Sequence, residues 1–209
     1  MPNHITMDDC MTSLSDLLGE ETVPTQGISG RKRFLQRTLE DLYKIYEWPF
    51  AMIDTTFTLS SGSYTLPNTF LREGNHYIRF GSNELSEIAF DDLALTHDPL
   101  TRFYYSYDET NYILNVVGGE DQVLTVRYQR TAPDLLIDGG QTAYPNPKTI
   151  AIGALRYQKI ADDPNADISQ EEGMFLAAAQ EDYSAFNRQR PSKRMRHVTE
   201  VAGYNIGTA

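Results

Sequence analysis

The hydrophobic pattern of this chain changes from a helical period to a strand period near residue 54 and returns to the helical period near residue 147. Apolar residues at three-to-four spacing over residues 7–19, 34–48, 147–161 and 169–186 predict four amphipathic helices. Helical and strand segments are thus segregated along the chain. We therefore predict an α+β fold, namely a four-helix bundle interrupted by an inserted antiparallel β domain and followed by an extended C-terminal arm.

Local signals mark several helix ends. Thr6 can cap the first helix, and Gly19 follows its last apolar residues. Asn146 followed by Pro147 is a cap with proline at the first helical position. Residues 169–172 have the spacing of a capping box, in which a serine oxygen and a glutamate satisfy each other's free amides. The third and fourth helices are therefore predicted to begin at these points.

In the middle of the chain, alternating apolar and polar residues separated by turn residues predict six to seven short strands. Phe57 and Leu59 alternate with polar residues, residues 61–63 suit a turn, and alternation resumes at Tyr64, so this stretch predicts a hairpin. Residues 91–97 predict a helical turn. Further strands are predicted at residues 76–80, 85–90, 102–107, 112–117 and 122–130, with turns at 108–111 and 118–121.

Proline and glycine in residues 131–148 predict a loop that returns the chain to helix. Residues 1–50 and 146–190 are therefore expected to form the helical bundle domain, and residues 51–145 the β-rich insertion domain. Residues 191–209 are expected to form the arm. Because the two ends of an insertion lie close together, the second and third helices are expected to be neighbours.

Charge is unevenly distributed along the chain. Five of the 18 basic residues and one of the 29 acidic residues lie from Arg188 onward, so the net charge is −15 before that point and +4 after it. An acidic body disfavours nucleic-acid wrapping, whose affinity depends on neutralising phosphates. The single Cys10 excludes an internal disulfide and is expected in the core. With no apolar run of about 20 residues and no signal-peptide pattern, we expect a soluble, cytoplasmic product without a membrane contact.

Catalytic and metal motifs are weak. The four histidines have no helical metal-pair spacing, and no phosphate loop, dinucleotide fingerprint or serine elbow is present. Residues 163–171 alternate oxygen donors like a calcium loop, but Ile168 replaces the glycine and Met174 the bidentate glutamate. We therefore predict no enzyme activity, no cofactor and no metal. A remaining alternative is a metal-dependent enzyme that acts on nucleic acids or nucleotides and uses Asp163, Asp167, Glu171 and the C-terminal tail.

The C-terminal tail combines charge with apolar anchors, which a merely solubilising terminus does not need. A solubilising role and nucleic-acid binding remain alternatives, but docking against an acidic groove of another protein is favoured. The predicted docking residues are Arg188, Arg190, Lys193, Arg194, Arg196, Val201, Tyr204 and Ile206.

Tyrosines cluster in one predicted strand. They suit cross-strand packing or a protein interface better than base stacking, because nearby acids oppose phosphates. The predicted interface residues are Tyr104, Tyr105 and Tyr107.

Several segments carry a family resemblance that spans most of the chain. They are residues 42–50 (LYKIYEWPF), the 56–67 stretch ending Tyr-Thr-Leu-Pro, Pro147 opening a helix through Ile-Gly-Ala at 152–154, the acidic helix 171–183, and the ending Gly-Tyr-Asn-Ile-Gly at 203–207. On these residues the chain resembles the head-to-tail adaptor (connector) proteins of tailed bacteriophages, in particular the tail tubular protein A type.

The resemblance implies a structural protein of the virion, assembled in the host cytoplasm. Such proteins form a ring, commonly dodecameric, beneath the portal protein, and the ring extends the channel through which DNA passes without specific binding. The resemblance implies that residues 188–209 dock on the portal and that the β domain faces the tail tube or nozzle protein. The alternative is a tail-completion or chaperone protein whose partner is not the portal.

Overall fold

The computed structural model describes residues 4–21, 27–71, 76–88, 92 and 98–188, and it describes His76 and Arg188 by their backbones alone. This part of the chain is α+β, as predicted. No helix in it is long and apolar enough to cross a membrane. The predicted helical turn at 91–97 lies outside the described residues apart from Asp92. The helices are α1 (Met7–Leu18), α2 (Ile28–Ile45), α3 (Pro147–Asp162) and α4 (Ser169–Arg188).

The helix ends follow local chemistry at most of the predicted points. In α1 the Asp9 backbone N–H donates to Thr6 Oγ1, and the Thr6 backbone N–H donates to Asp9 Oδ2 at 2.8 Å. Gly19 then adopts a left-handed φ of 70° that ends α1. α3 begins at Pro147, and Asn146 Oδ1 accepts from the Lys148 backbone N–H at 3.2 Å. These three predictions are confirmed.

The ends of α2 and the capping of α4 differ from prediction. α2 begins at Ile28 and ends at Ile45, because Tyr46 is extended. The predicted capping box of α4 is wrong: Ser169 is already helical, and its backbone N–H and hydroxyl both donate to Asp167 Oδ1. Asp167 therefore takes the oxygen-acceptor role that the sequence assigned to Ser169.

The strands form three sheets. All pairings are antiparallel except the short one between β6 and β7, which is parallel and departs from the wholly antiparallel prediction. The first sheet has the order β2 (Met52–Thr58), β9 (Val123–Gln129), β4 (His76–Phe80), β5 (Asn83–Glu84). The second has the order β3 (Ser63–Thr65), β8 (Tyr112–Val116), β7 (Arg102–Tyr107), β6 (Ser86–Glu87). The third pairs β1 (Ile5–Thr6) with β10 (Gln141–Thr142).

The predicted hairpin around residues 57–66 is wrong, although its turn forms. Ser61 and Gly62 have φ values of 51° and 82°, and Ser60 and Ser63 exchange backbone hydrogen bonds across them. The flanking strands nevertheless pair elsewhere, β2 with β9 and β3 with β8. The turn at 118–121 likewise joins strands of two different sheets. Residues 108–111 do form a hairpin turn, where Asp108 Oδ1 accepts two backbone N–H groups.

Two hydrophobic clusters form the core of the described chain. One lies among the helices and contains Trp48, Tyr144, Phe175 and Cys10, the thiol of which has its pKa raised to about 12 by burial. The other lies among the strands and includes Phe57, which stacks on Tyr64 with ring centroids 4.1 Å apart. α3 contacts α1, α2 and α4, so the second and third helices are neighbours as predicted. The predicted domain boundaries stay a prediction.

Candidate functional site

The C-terminal half of α4 is held by a carboxylate with three donors, which we call the α4 anchor. Asp182 of α4 accepts from the Tyr144 hydroxyl and the Thr149 hydroxyl, each at 2.6 Å. Asn146 Nδ2 donates to its other oxygen at 3.0 Å. Burial and the neighbouring Asp182 carboxylate raise the pKa of Tyr144, so its hydroxyl stays a donor. The anchor joins α4 to the start of α3, six residues before Arg188.

An aromatic cluster packs the last turns of α4 against the segment that follows α2. Tyr183 stacks on Tyr46 with centroids 4.5 Å apart. The rings of Tyr183 and Phe186 are nearly perpendicular to that of Trp48, with ring centroids 5.5 and 5.9 Å from it. Trp48 is fully buried, and its Nε1 donates to the Leu42 carbonyl. The end of α4, from which the C-terminal segment continues, is therefore positioned by packing as well as by hydrogen bonds.

A buried arginine links α2, α3 and α4. The Arg156 guanidinium lies 3.0 Å from Asp41 Oδ2 and 3.2 Å from Glu172 Oε1, and its carbon lies 3.9 Å above the Phe175 ring centroid. Tyr157 also donates to Asp41, and burial beside that carboxylate raises the pKa of Tyr157 to about 12. Arg156, Asp41 and Glu172 thus join three helices within the protomer.

In the calcium-like loop at residues 163–171, the carboxylate oxygens contact neighbouring groups of the chain. Asp163 Oδ1 accepts from the Asn165 backbone N–H, and Asp167 Oδ1 accepts from Ser169. Glu171 pairs with Lys159 Nζ at 2.8 Å. No group of three or more His, Cys, Asp or Glu side chains that could hold a metal ion occurs in the described ranges. Each of the three acids of the enzyme alternative thus has a contact within the loop or with α3.

The three tyrosines of β7 occupy different surroundings. Tyr105 pairs across the sheet with Leu114 and packs against the strand core, 5.5 Å from Phe103. Tyr107 is 60% exposed, and its ring centroid lies 5.1 Å from that of Tyr112 at the end of the hairpin. Tyr104 points to the opposite face, as alternation along a strand requires. Their contact with a tail component stays a prediction.

Tyr104 lines a cavity of about 350 Å³ that the sequence did not indicate. Asn115 of β8 and the turn residues Ser61 and Gly119 also line it. A Cβ on Gly119 would lie 2.6 Å from Leu59, so this turn packs closely over the strand core. The glycine pair at 118–119 was the one sequence feature that drew attention to this part of the cavity lining, and it predicted only a turn.

The predicted docking arm falls largely outside the described residues. Arg188 is the last residue of α4 and is described by its backbone alone. The other predicted docking residues, Arg190, Lys193, Arg194, Arg196, Val201, Tyr204 and Ile206, lie outside the described ranges.

Comparison with protein families decides the class of this protein. The family model described as SU10 adaptor protein matches residues 5–202. The chain belongs to the SU10 adaptor protein family. The adaptor is thus a structural component of a bacteriophage virion that contacts other components of the head–tail junction. A comparison with curated proteins finds no match. The matched range includes all four helices of the adaptor, all of its strands and most of its C-terminal segment.

We expect the α4 anchor to contribute measurably to adaptor stability. We expect Asp182→Asn to lower the free energy of unfolding by about 2 kcal/mol, because an amide replaces a carboxylate that accepts three hydrogen bonds. Urea unfolding followed by the fluorescence of Trp48 measures the change. The control is Glu181→Gln, since Glu181 is the exposed neighbouring acid. Equal unfolding midpoints for the two variants would contradict a role for the anchor.

Proposed function

We propose that this adaptor forms a homo-oligomeric ring beneath the portal protein, extends the DNA channel and recruits the tail tube or nozzle protein. The observation that carries the proposal is the family match over residues 5–202. The motifs at residues 42–50 and 147–154 further support a protein of the tail tubular protein A type, with a dodecameric ring. In this proposal the helices form a bundle that carries the β domain as an insertion.

The C-terminal segment is proposed as the portal-docking arm. It carries a net charge of +4 from Arg188 onward and follows a helix whose last turns are held by Asp182 and Trp48. A chain of 21 residues spans at most about 70 Å when fully extended. A basic segment on a firmly held helix suits contact with an acidic groove of a partner that lies some distance from the adaptor body.

The acidic body suits a channel for DNA. With a net charge of −15 before Arg188, the body repels phosphates rather than neutralising them. DNA would then pass through the ring without specific binding. The exposed Tyr107 and Tyr112 at the hairpin end, together with Tyr104, are proposed to contact the tail component, since tyrosine is favoured in protein interfaces.

Electron microscopy of the adaptor co-expressed with its portal tests the proposal. Two forms are compared, the full chain and a chain that ends at Arg188, the last residue of α4. We expect a ring on the portal with the full chain and none with the truncated chain, while both unfold at the same urea concentration. Joining by the truncated chain would contradict the role of the arm. Absence of joining by the folded full chain would instead favour a tail-completion or chaperone role.

A further inference from the structure

The first two helices present faces of opposite charge. The first 30 residues contain five carboxylates and no lysine or arginine, whereas residues 31–44 contain five basic residues and two acids. In α1 the exposed charged residues are Asp8, Asp9 and Asp16, which we call the acidic face. In α2 the exposed basic residues are Arg33, Arg37 and Lys44, which we call the basic face.

Both faces point away from the core of their own protomer. α1 buries Cys10, Met11 and Leu14 on its other side, and α2 buries Leu35, Leu39 and Leu42. Residues 33, 37 and 44 are spaced by four and seven positions, so their side chains share one side of α2. The single exposed acid of α2, Glu40, accepts from Gln36 at 3.1 Å, which leaves the face with a net positive charge.

Within the part of the chain that the structure describes, the charges of both faces have no ion-pair partner. Among the described residues no carboxylate lies within ion-pair distance of the basic face, and no basic group lies within that distance of the acidic face. The ion pair between the two helical segments, Arg31 with Glu20 at 2.7 Å, lies at their junction and uses neither face. Arg37 packs over the Tyr157 ring at 4.6 Å and keeps its charge at the surface.

We propose that the basic face of α2 in one copy docks on the acidic face of α1 in the next copy, and this inference rests on the proposed ring. A cyclic ring needs two different complementary patches on every chain, because its interfaces are heterologous. The two faces meet this requirement by charge. DNA is a poorer occupant of the basic face, since it would leave the acidic face without a partner and meet a body of net charge −15.

Exposed apolar side chains border each face. Leu17 and Leu18 follow Asp16 and are each 37% exposed, and Ile45 follows Lys44 and is 36% exposed. A subunit interface has an apolar core and a polar rim, so these side chains can supply the apolar part of the contact and the charges its rim. Charge at such an interface sets the choice and register of the partner more than the total affinity.

Paired charge reversals on the full chain test this contact. The basic-face variant is Arg33→Glu with Lys44→Glu, which leaves Arg37 on Tyr157, and the acidic-face variant is Asp8→Lys with Asp16→Lys, which leaves the Asp9 cap. Ring formation on purified portal is scored by electron microscopy. We expect each variant alone to form at least tenfold fewer rings than wild type, because both faces of every copy then carry charge of the same sign.

An equal mixture of the two variants gives the decisive measurement. Copies that alternate around a ring restore opposite charges at every interface, so we expect the mixture to recover rings to within twofold of wild type. The control for the basic-face variant, Arg102→Glu with Lys148→Glu, makes the same change of −4 in net charge at exposed residues of β7 and α3, and it should form rings normally.

The outcomes separate this contact from the function on which it rests. Wild-type protein that forms no ring on the portal would contradict the proposed function itself. Wild-type rings together with normal rings from either single variant would overturn the contact while the function stands. Failure of the mixture, with both variants folded by Trp48 fluorescence, would also overturn it, since the reversed charges would then act on something other than a neighbouring copy.

Discussion

Gly153→Leu should remove most of the stability of the adaptor, lowering the free energy of unfolding by more than about 4 kcal/mol. Gly153 lies in α3 where α2 and α4 both approach it. A Cβ there would lie 2.3 Å from Thr38 Cγ2 and 2.6 Å from Phe175 Cδ2. These are buried neighbours on two different helices, so neither can move away without separating a helix from α3.

The same substitution in the next helix provides the control. Gly173 lies in α4 with no atom within 4 Å of its Cβ position. Gly173→Leu should therefore stabilise the protein by up to about 1 kcal/mol through helix propensity alone. Urea unfolding monitored by Trp48 fluorescence measures both variants. Equal losses at positions 153 and 173 would show that close helix packing is not the cause.

Trp48→Ala should destabilise the adaptor by about 3–5 kcal/mol. The indole is fully buried and contacts the rings of Phe50, Tyr144, Tyr183 and Phe186 at centroid distances of 5.6, 5.0, 5.5 and 5.9 Å. Its removal leaves a cavity among these four rings. It also removes the donor to the Leu42 carbonyl near the end of α2.

Circular dichroism is the appropriate measurement, because the variant has no other tryptophan. The control is Tyr107→Ala, a substitution of an aromatic residue that is 60% exposed, which should cost less than about 1 kcal/mol. We also expect amide exchange to accelerate first near Tyr183 and Phe186, since both rings pack on the indole. A loss of unfolding free energy as small as that of Tyr107→Ala would contradict the central position of Trp48 in the core.

The arrangement of the candidate site could be predicted only in part. Alternation along a strand separates Tyr104 from Tyr105 and Tyr107, so this division could be read from the sequence. Which face of the second sheet is covered could not be read from the sequence, because it depends on how that sheet packs in the folded chain. The α4 anchor was also beyond prediction, since Asp182 meets donors more than 30 residues away along the chain.

Local sequence patterns specify the four helices and several of their ends. Thr6 with Asp9, Gly19, and Asn146 with Pro147 act on backbone groups within a few residues, so their effect does not depend on the rest of the fold. The segregation of helical and strand periods likewise determined the α+β class.

The tertiary structure alone decided the pairing of strands and the partners of buried charges. The turn at 61–62 forms as its residues require, yet the strands on either side join different sheets, because β2 pairs along its full length with β9 and β3 along its full length with β8. Ile5 pairs with Thr142 from the far side of the sequence. Such contacts depend on which apolar surfaces cover one another, a property of the folded chain that local sequence patterns do not contain.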